Sequence, residues 1–281
     1  MQRANRSYTP VGRCIYCRCT PLDVALTDEH IIALSLGGYP TLPESSCTDC
    51  AAATRDFEAI VTGVLLKSPR THLGVRTRRP KQRPKALPTT AGHEPLYKHP
   101  MYLAMQDFDL PEILGYAPTF PKWQRFGDQY SLPFRLHTAP ETGRRMDALG
   151  REVGIPLHFN ADAMRLTIAK TAHAFAVAEL GQDAFRPFLP DLILGRATNR
   201  EWLVGAIPNA NNQPVDSGDK LPPLFHRIEL RRVVSKLGGH FLGCTLTLFE
   251  PLAMPVYLAV VGVLTREISS DEPISSFIQD L

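Results

Sequence analysis

The clearest chemistry in this 281-residue chain is carried by four cysteines in two pairs, CIYC (Cys14, Cys17) and CTDC (Cys47, Cys50), with 29 residues between them. A C-x-x-C turn lets two thiolates reach one ion at about 2.3 Å, and two such turns complete a tetrahedral structural zinc site with no open position. A redox role would call for one pair opening a helix in a βαβ context, which two pairs flanking one segment do not match. Cys19 lies close enough to compete as a ligand and is read as a bystander, and Cys244, inside an apolar run, as a buried small hydrophobe. The zinc would act mechanically, because a unit of about fifty residues has little core of its own and four metal–sulfur bonds can clamp its ends. What they clamp is LTDEHIIALSLGG, residues 26–38, an acid-acid-His triplet running into Ile-Ile and Gly-Gly.

The elements that must hold these residues follow from periodicity. After CTDC, Phe57, Ile60, Val61, Val64 and Leu65 make the stripe of one helix face, so a helix starts at the second cysteine pair, with Thr48 or Asp49 as N-cap. It should stop near Leu66, ahead of Lys67-Ser68-Pro69. Residues 67–100 carry prolines at 69, 80, 84, 88, 95 and 100 and read as an extended linker, and residues 101–157 as loops and short strands. ADAMRLTIAKTAHAFAVAEL, 161–180, is rich in alanine, free of Gly and Pro, and stops at Gly181, which predicts a helix. Residues 207–223 read as a surface loop, and FHRIEL, GCTLTLF and PVYLAVVGVL as β-strands. The expected fold class is α+β in three parts: a zinc-framed unit over 1–66, a basic linker over 67–100, and an α+β domain with an antiparallel sheet over 101–281.

Composition narrows the function classes. With 44% apolar residues the chain can bury a core, and its longest apolar run, 252–264, contains a proline and is shorter than the about 20 residues a membrane helix needs. No apolar leader precedes the first cysteine, so the reading is a soluble, cytoplasmic protein without a membrane partner. The net charge of +3 hides an asymmetry: residues 59–93 hold eight Lys or Arg and no Asp or Glu, a local +8 that leaves −5 for the rest. Such an arm suits a polyanion, since Lys and Arg gain affinity by releasing counterions from phosphates.

CIYC, DEHII, LGG and SCTDC leading into a helix together resemble the zinc-framed HNH, or ββα-metal, endonucleases over roughly residues 14–79. The resemblance implies a ββα-metal module at the N-terminal end, DNA as partner, and metal-dependent hydrolysis of its phosphodiester bonds. It makes His30 the general base and Glu29 the ligand of a catalytic Mg²⁺ or Mn²⁺. Imidazole, with a pKa of about 6.5, can take a proton from water near neutral pH, and a hard divalent ion can stabilise the leaving 3′-oxygen. Neighbouring strand residues point to opposite faces, so Glu29 and His30 would address metal and water separately. Arg76, Arg78 and Arg79 match positions where the family is basic, and Arg55 on the helix is a further phosphate-binding candidate. The chain departs from the pattern at Ala51, where the family commonly has His or Asn as a metal ligand, and in TLPESS, which lacks the usual Asn. Glu58 and Asp28 are then candidates to complete or replace Glu29's metal site. The other histidines, among them His173 and His226, read as structural. The alternative function is a non-catalytic, zinc-stabilised nucleic-acid-binding or regulatory protein with a degenerate module. The C-terminal domain could recognise a base modification, bind a small signal molecule or mediate homodimerisation.

Overall fold

The computed structural model describes residues 7–38, 40–67, 70, 75, 160–197, 203–206, 225–235, 238–250, 256–265 and 274–280, and four short strands between 102 and 137 as backbone. The molecule is a mixed α/β structure with antiparallel sheets. Strand β1 (Leu26–His30) pairs antiparallel with β2 (Thr41–Cys47), Leu26 facing Cys47 and His30 facing Thr41. The turn between them needs its two glycines. Gly37 sits at φ 92°, and a Cβ on Gly38 would lie 2.0 Å from the Ile32 carbonyl oxygen. Around Asp28 the register shifts by the insertion of Pro43–Ser45 on β2, with Glu44 at φ 45°. The shift serves the next layer, because the carbonyls of Pro43, Glu44 and Ser45 accept from the backbone amides of Val11, Gly12 and Ile15.

Helix α1 (Thr48–Ile60) follows β2 without a break, and its N-cap is Cys47 rather than Thr48 or Asp49. The Cys47 thiol makes no capping hydrogen bond, which leaves its sulfur for the cluster described below. Phe57 and Val61 are buried as the stripe predicts, but Ile60 is 36% and Val64 45% exposed. The cause is a widened turn over Val61–Leu65, closed by Leu66 N–H to the Val61 carbonyl at 2.7 Å, which rotates the buried face onto Thr62. The helical path does not end at Leu66: the Arg70 amide bonds the Leu66 carbonyl, and the Arg70 guanidinium ties Ser35 and Thr62 carbonyls together.

Helix α2 (Ala161–Leu180) forms where expected, capped by the Asn160 side chain on the Ala163 amide and ended by Gly181 at φ 86°. Its central turns are buried all round, as for a helix packed on more than one side. One side meets α1; the other meets a six-stranded antiparallel sheet. That sheet runs in the order β12 (Ser275–Asp280), β9 (Phe225–Val234), β10 (His240–Thr247), β11 (Val256–Leu264), β7 (Phe185–Pro187), with β8 (Val204–Ala206) also on β11. Ala169, Ala172, Ala174 and Ala176, all fully buried, let both layers approach the helix closely. A short helix α3 (Leu189–Ile193) packs on α2 and β11. Buried residues of the cysteine-framed part, α2 and the sheet belong to one core.

Between these parts, β3 (Tyr102–Met105) pairs with β6 (Phe134–His137) and β4 (Gln124–Phe126) with β5 (Gln129–Ser131). The rest of the basic linker, apart from Lys67, Arg70 and Val75, and the loop 207–223 lie outside the described residues. Among the described residues no helix is long and apolar enough to cross a membrane.

Candidate metal centre and the acid-His strand

Cys14, Cys17, Cys47 and Cys50 converge, their sulfurs all within 4.8 Å of one another. Two pieces of backbone bring them there. The first pair sits on a tight knuckle closed by Cys14 N–H to the Cys19 carbonyl (2.8 Å) and Arg18 N–H to the Cys14 carbonyl (3.0 Å), with Arg18 at φ 65°. The second pair straddles the end of β2 and the first turn of α1, where the helix N-terminus favours thiolate. Tetrahedral zinc with bonds of about 2.3 Å requires sulfurs about 3.8 Å apart, and Cys17 and Cys47 stand 3.6 Å apart. The Cys50 thiol beside Cys14 holds it down at about 4 despite burial, and the same pairing pushes Cys50 up, so one thiolate is stabilised by its neighbours. The four-cysteine cluster can hold a zinc ion. Cys19 stands beside the cluster, its sulfur 3.3 Å from that of Cys17, but is not among the four that converge. Cys244 is fully buried, which pushes its thiol up, as a small core residue.

The strand that the cysteines flank divides its side chains between two environments. Asp28 is exposed and accepts from the Glu44 amide at 3.3 Å, and His30 is half-buried. Glu29 is turned into the interior. There its Oε1 lies 2.7 Å from Nζ of Lys170, which comes from α2 and is itself fully buried. Glu58 of α1 reaches the same ammonium at 2.8 Å, and the ammonium also donates to the backbone carbonyl of His30. Burial alone would lower the Lys170 pKa; Glu29 and Glu58 outweigh it and raise it, so the group is a cation. Burial raises Glu58. The Tyr16 hydroxyl is buried beside them, its phenol raised first by burial and then by the Glu29 and Glu58 charges.

The carboxylates expected to bind a divalent ion are therefore held by an internal cation. Glu29, read from the sequence as an acid addressing a catalytic metal, has an ammonium at ion-pair distance and no open face. Glu58 shares that partner. These residues, as arranged, do not fit a catalytic Mg²⁺ or Mn²⁺.

Three further side chains tie backbone carbonyls of the cysteine-framed part to the rest of the molecule. Nε2 of His173 meets the Ile15 carbonyl at 2.8 Å, Nε2 of Gln182 donates to Cys14 at 3.1 Å, and Nε2 of His226 meets Leu36 at 2.9 Å. Tyr8 donates to Glu179 at 2.6 Å, and Arg13 pairs with Asp183. None of these partnerships had a sequence signal beyond an unusual Lys and His in the alanine-rich helix at 161–180. Arg55 is exposed on α1, with an Asp56 carboxylate oxygen at 3.8 Å. Arg76, Arg78 and Arg79 lie outside the described residues. No family model matches the chain, and neither the curated proteins nor the solved structures yield a match.

Proposed function

We propose that this protein is an endonuclease of the HNH, or ββα-metal, type that hydrolyses DNA phosphodiester bonds with His30 as general base. The observation that carries the reading is the order of elements around His30. An antiparallel hairpin whose first strand ends on His30 runs through the cysteine clamp directly into a helix, with the imidazole half-buried rather than enclosed. His30 takes a proton from water, the water oxygen attacks phosphorus, and the bond to the 3′-oxygen breaks, that oxygen taking up a proton from solvent. Lys170, bonded to the His30 carbonyl, and the Ile31 amide, bonded to Pro40 at 3.0 Å, hold the end of the strand. Asp28, two residues before His30 and exposed, is the acid of the triplet left open to solvent. Arg55, Arg76, Arg78 and Arg79 supply phosphate contacts that position DNA without reading its sequence.

A second reading, a zinc-stabilised nucleic-acid-binding protein without cleavage, is favoured by the engagement of Glu29 and Glu58 with Lys170 and by Ala51. One assay separates the two. Supercoiled plasmid is incubated with purified protein in Mg²⁺, Mn²⁺ or EDTA, beside His30→Ala and Asp28→Asn. Cleavage predicts nicking that His30→Ala lowers by about 100-fold or more, the range of general base catalysis. Nicking unchanged in His30→Ala removes His30 from the mechanism. Plasmid binding without nicking in any metal establishes the second reading.

A further inference from the structure

We propose that the ammonium of Lys170 is the resident cation of the acid-His strand: it fills a cage of oxygens from Glu29, Glu58 and the His30 backbone, so that this cage binds no divalent metal in the native protein. Three observations support this independently of any cleavage activity. The oxygens converge on one point, with Glu29 Oε1 at 2.7 Å and Glu58 Oε1 at 2.8 Å from the same nitrogen and the His30 carbonyl completing a third contact. The ammonium donates to the His30 carbonyl and stands at ion-pair distance from both carboxylates, which come from two different elements, β1 and α1. The site is also closed, since Lys170 is fully buried and Glu29 only 6% exposed, so an incoming hydrated ion would have to expel a tethered one.

The chemistry of the cage is that of a hard cation site. Two carboxylates and a carbonyl are the donors Mg²⁺ or Mn²⁺ takes. The Tyr16 hydroxyl, buried beside the two carboxylates, brings a fourth oxygen to the cage. Lysine reaches the cage from α2, across the boundary between the cysteine-framed part and the rest of the molecule. The same charge that neutralises the acids thereby fastens the His30 strand to α2.

The test is divalent-ion binding by the full-length, zinc-loaded protein, read by Mn²⁺ electron paramagnetic resonance. The native protein and Glu29→Gln should titrate alike. Lys170→Ala should gain one Mn²⁺ site at least tenfold tighter than any site in the native protein, and Lys170→Ala combined with Glu29→Gln should lose it again. A native 1:1 Mn²⁺ site that disappears in Glu29→Gln overturns the proposal, as does a folded Lys170→Ala protein that gains no site. Should Lys170→Ala fail to fold, nitrogen NMR of the native Lys170 ammonium decides. A slowly exchanging ammonium resonance that persists in millimolar Mg²⁺ upholds the proposal, and its displacement by Mg²⁺ overturns it. Because every readout is ion binding, its outcome is separate from whether the protein nicks DNA.

Discussion

At the residue scale, Gly38 and His226 show how single groups hold the acid-His strand in place. The second glycine of LGG stands out in the sequence only as one of a Gly-Gly pair, and the reason it must be glycine lies in the fold. Its missing Cβ makes room for the backbone of Ile32, an atom that cannot move aside as a side-chain tip can. Gly38→Ala should therefore lower stability by about 3 kcal/mol or more, the upper range for overpacking, measured as the shift in urea midpoint. An alanine variant as stable as the parent would show that the turn tolerates a methyl there. His226 was legible only as one histidine among several. Its Nδ1 accepts from the Phe249 amide at 3.1 Å, so Nε2 carries the proton and donates to Leu36. That neutral imidazole is fully bonded, and burial lowers its pKa to about 4. A depressed folded pKa against an unfolded value of about 6.5 means the unfolded chain binds the extra proton first. The contribution to stability is then complete above about pH 6.5 and is lost as pH falls towards 4, up to about 3 kcal/mol. His226→Gln should be less stable at pH 7 and show a shallower loss of stability between pH 7 and 4.5. An unchanged slope would mean that other groups carry the acid sensitivity.

At the scale of elements, periodicity told most about the parts that pack in regular ways. Helix α2, with no breaker over its length and Gly181 at its end, and strands β9 to β11 lie where the patterns put them. The start of α1 was off by one residue because the sequence shows which side chains can cap and not which are reserved; Cys47 occupies the cap with its thiol committed elsewhere. The widened turn after Ile60 could not be read, since it follows from how Thr62 and Val61 meet the core. The pairing of Lys170 with Glu29 and Glu58 was equally invisible, being a contact between residues far apart in the chain whose local patterns are satisfied without it. Two measurements bear on these elements. Cys47 ends β2 and caps α1, so Cys47→Ser should drop bound zinc from one per chain to well below one and lower the melting temperature. Cys19→Ser should keep one zinc, and loss of zinc there would make Cys19 a ligand. Lys170→Met leaves two buried carboxylates without a counter-charge and should cost about 3–5 kcal/mol. It should cost more than Glu29→Gln, which leaves the ammonium with Glu58.

At the scale of the molecule, buried residues of the cysteine-framed part, α2 and the six-stranded sheet belong to one core. The cysteine-framed part cannot satisfy its own backbone. Carbonyls of Ile15, His30 and Leu36 receive side-chain hydrogen bonds from His173, Lys170 and His226. Each such group, left buried and unpaired, costs about 1–3 kcal/mol. Ile15, Ile31, Ile32 and Leu36, each about 1% exposed, add apolar surface to that common core, and burying a side chain of this size contributes about 1.5–3 kcal/mol. Zinc can fix the two ends of the fragment but supplies neither the missing donors nor a cover for these side chains. A fragment of residues 1–100 should thus bind zinc through its four cysteines and still lack a fixed tertiary structure, with poorly dispersed amide resonances and strong binding of an apolar dye. The full chain with zinc should give sharp, dispersed resonances and one cooperative transition. Co-expression of residues 101–281 as a separate chain should restore dispersion to the fragment, because the donors on α2 and β9 would be present again. A zinc-loaded 1–100 fragment melting within a few degrees of the full chain would show that the cysteine-framed part stands alone and that its bonds to α2 and β9 are dispensable.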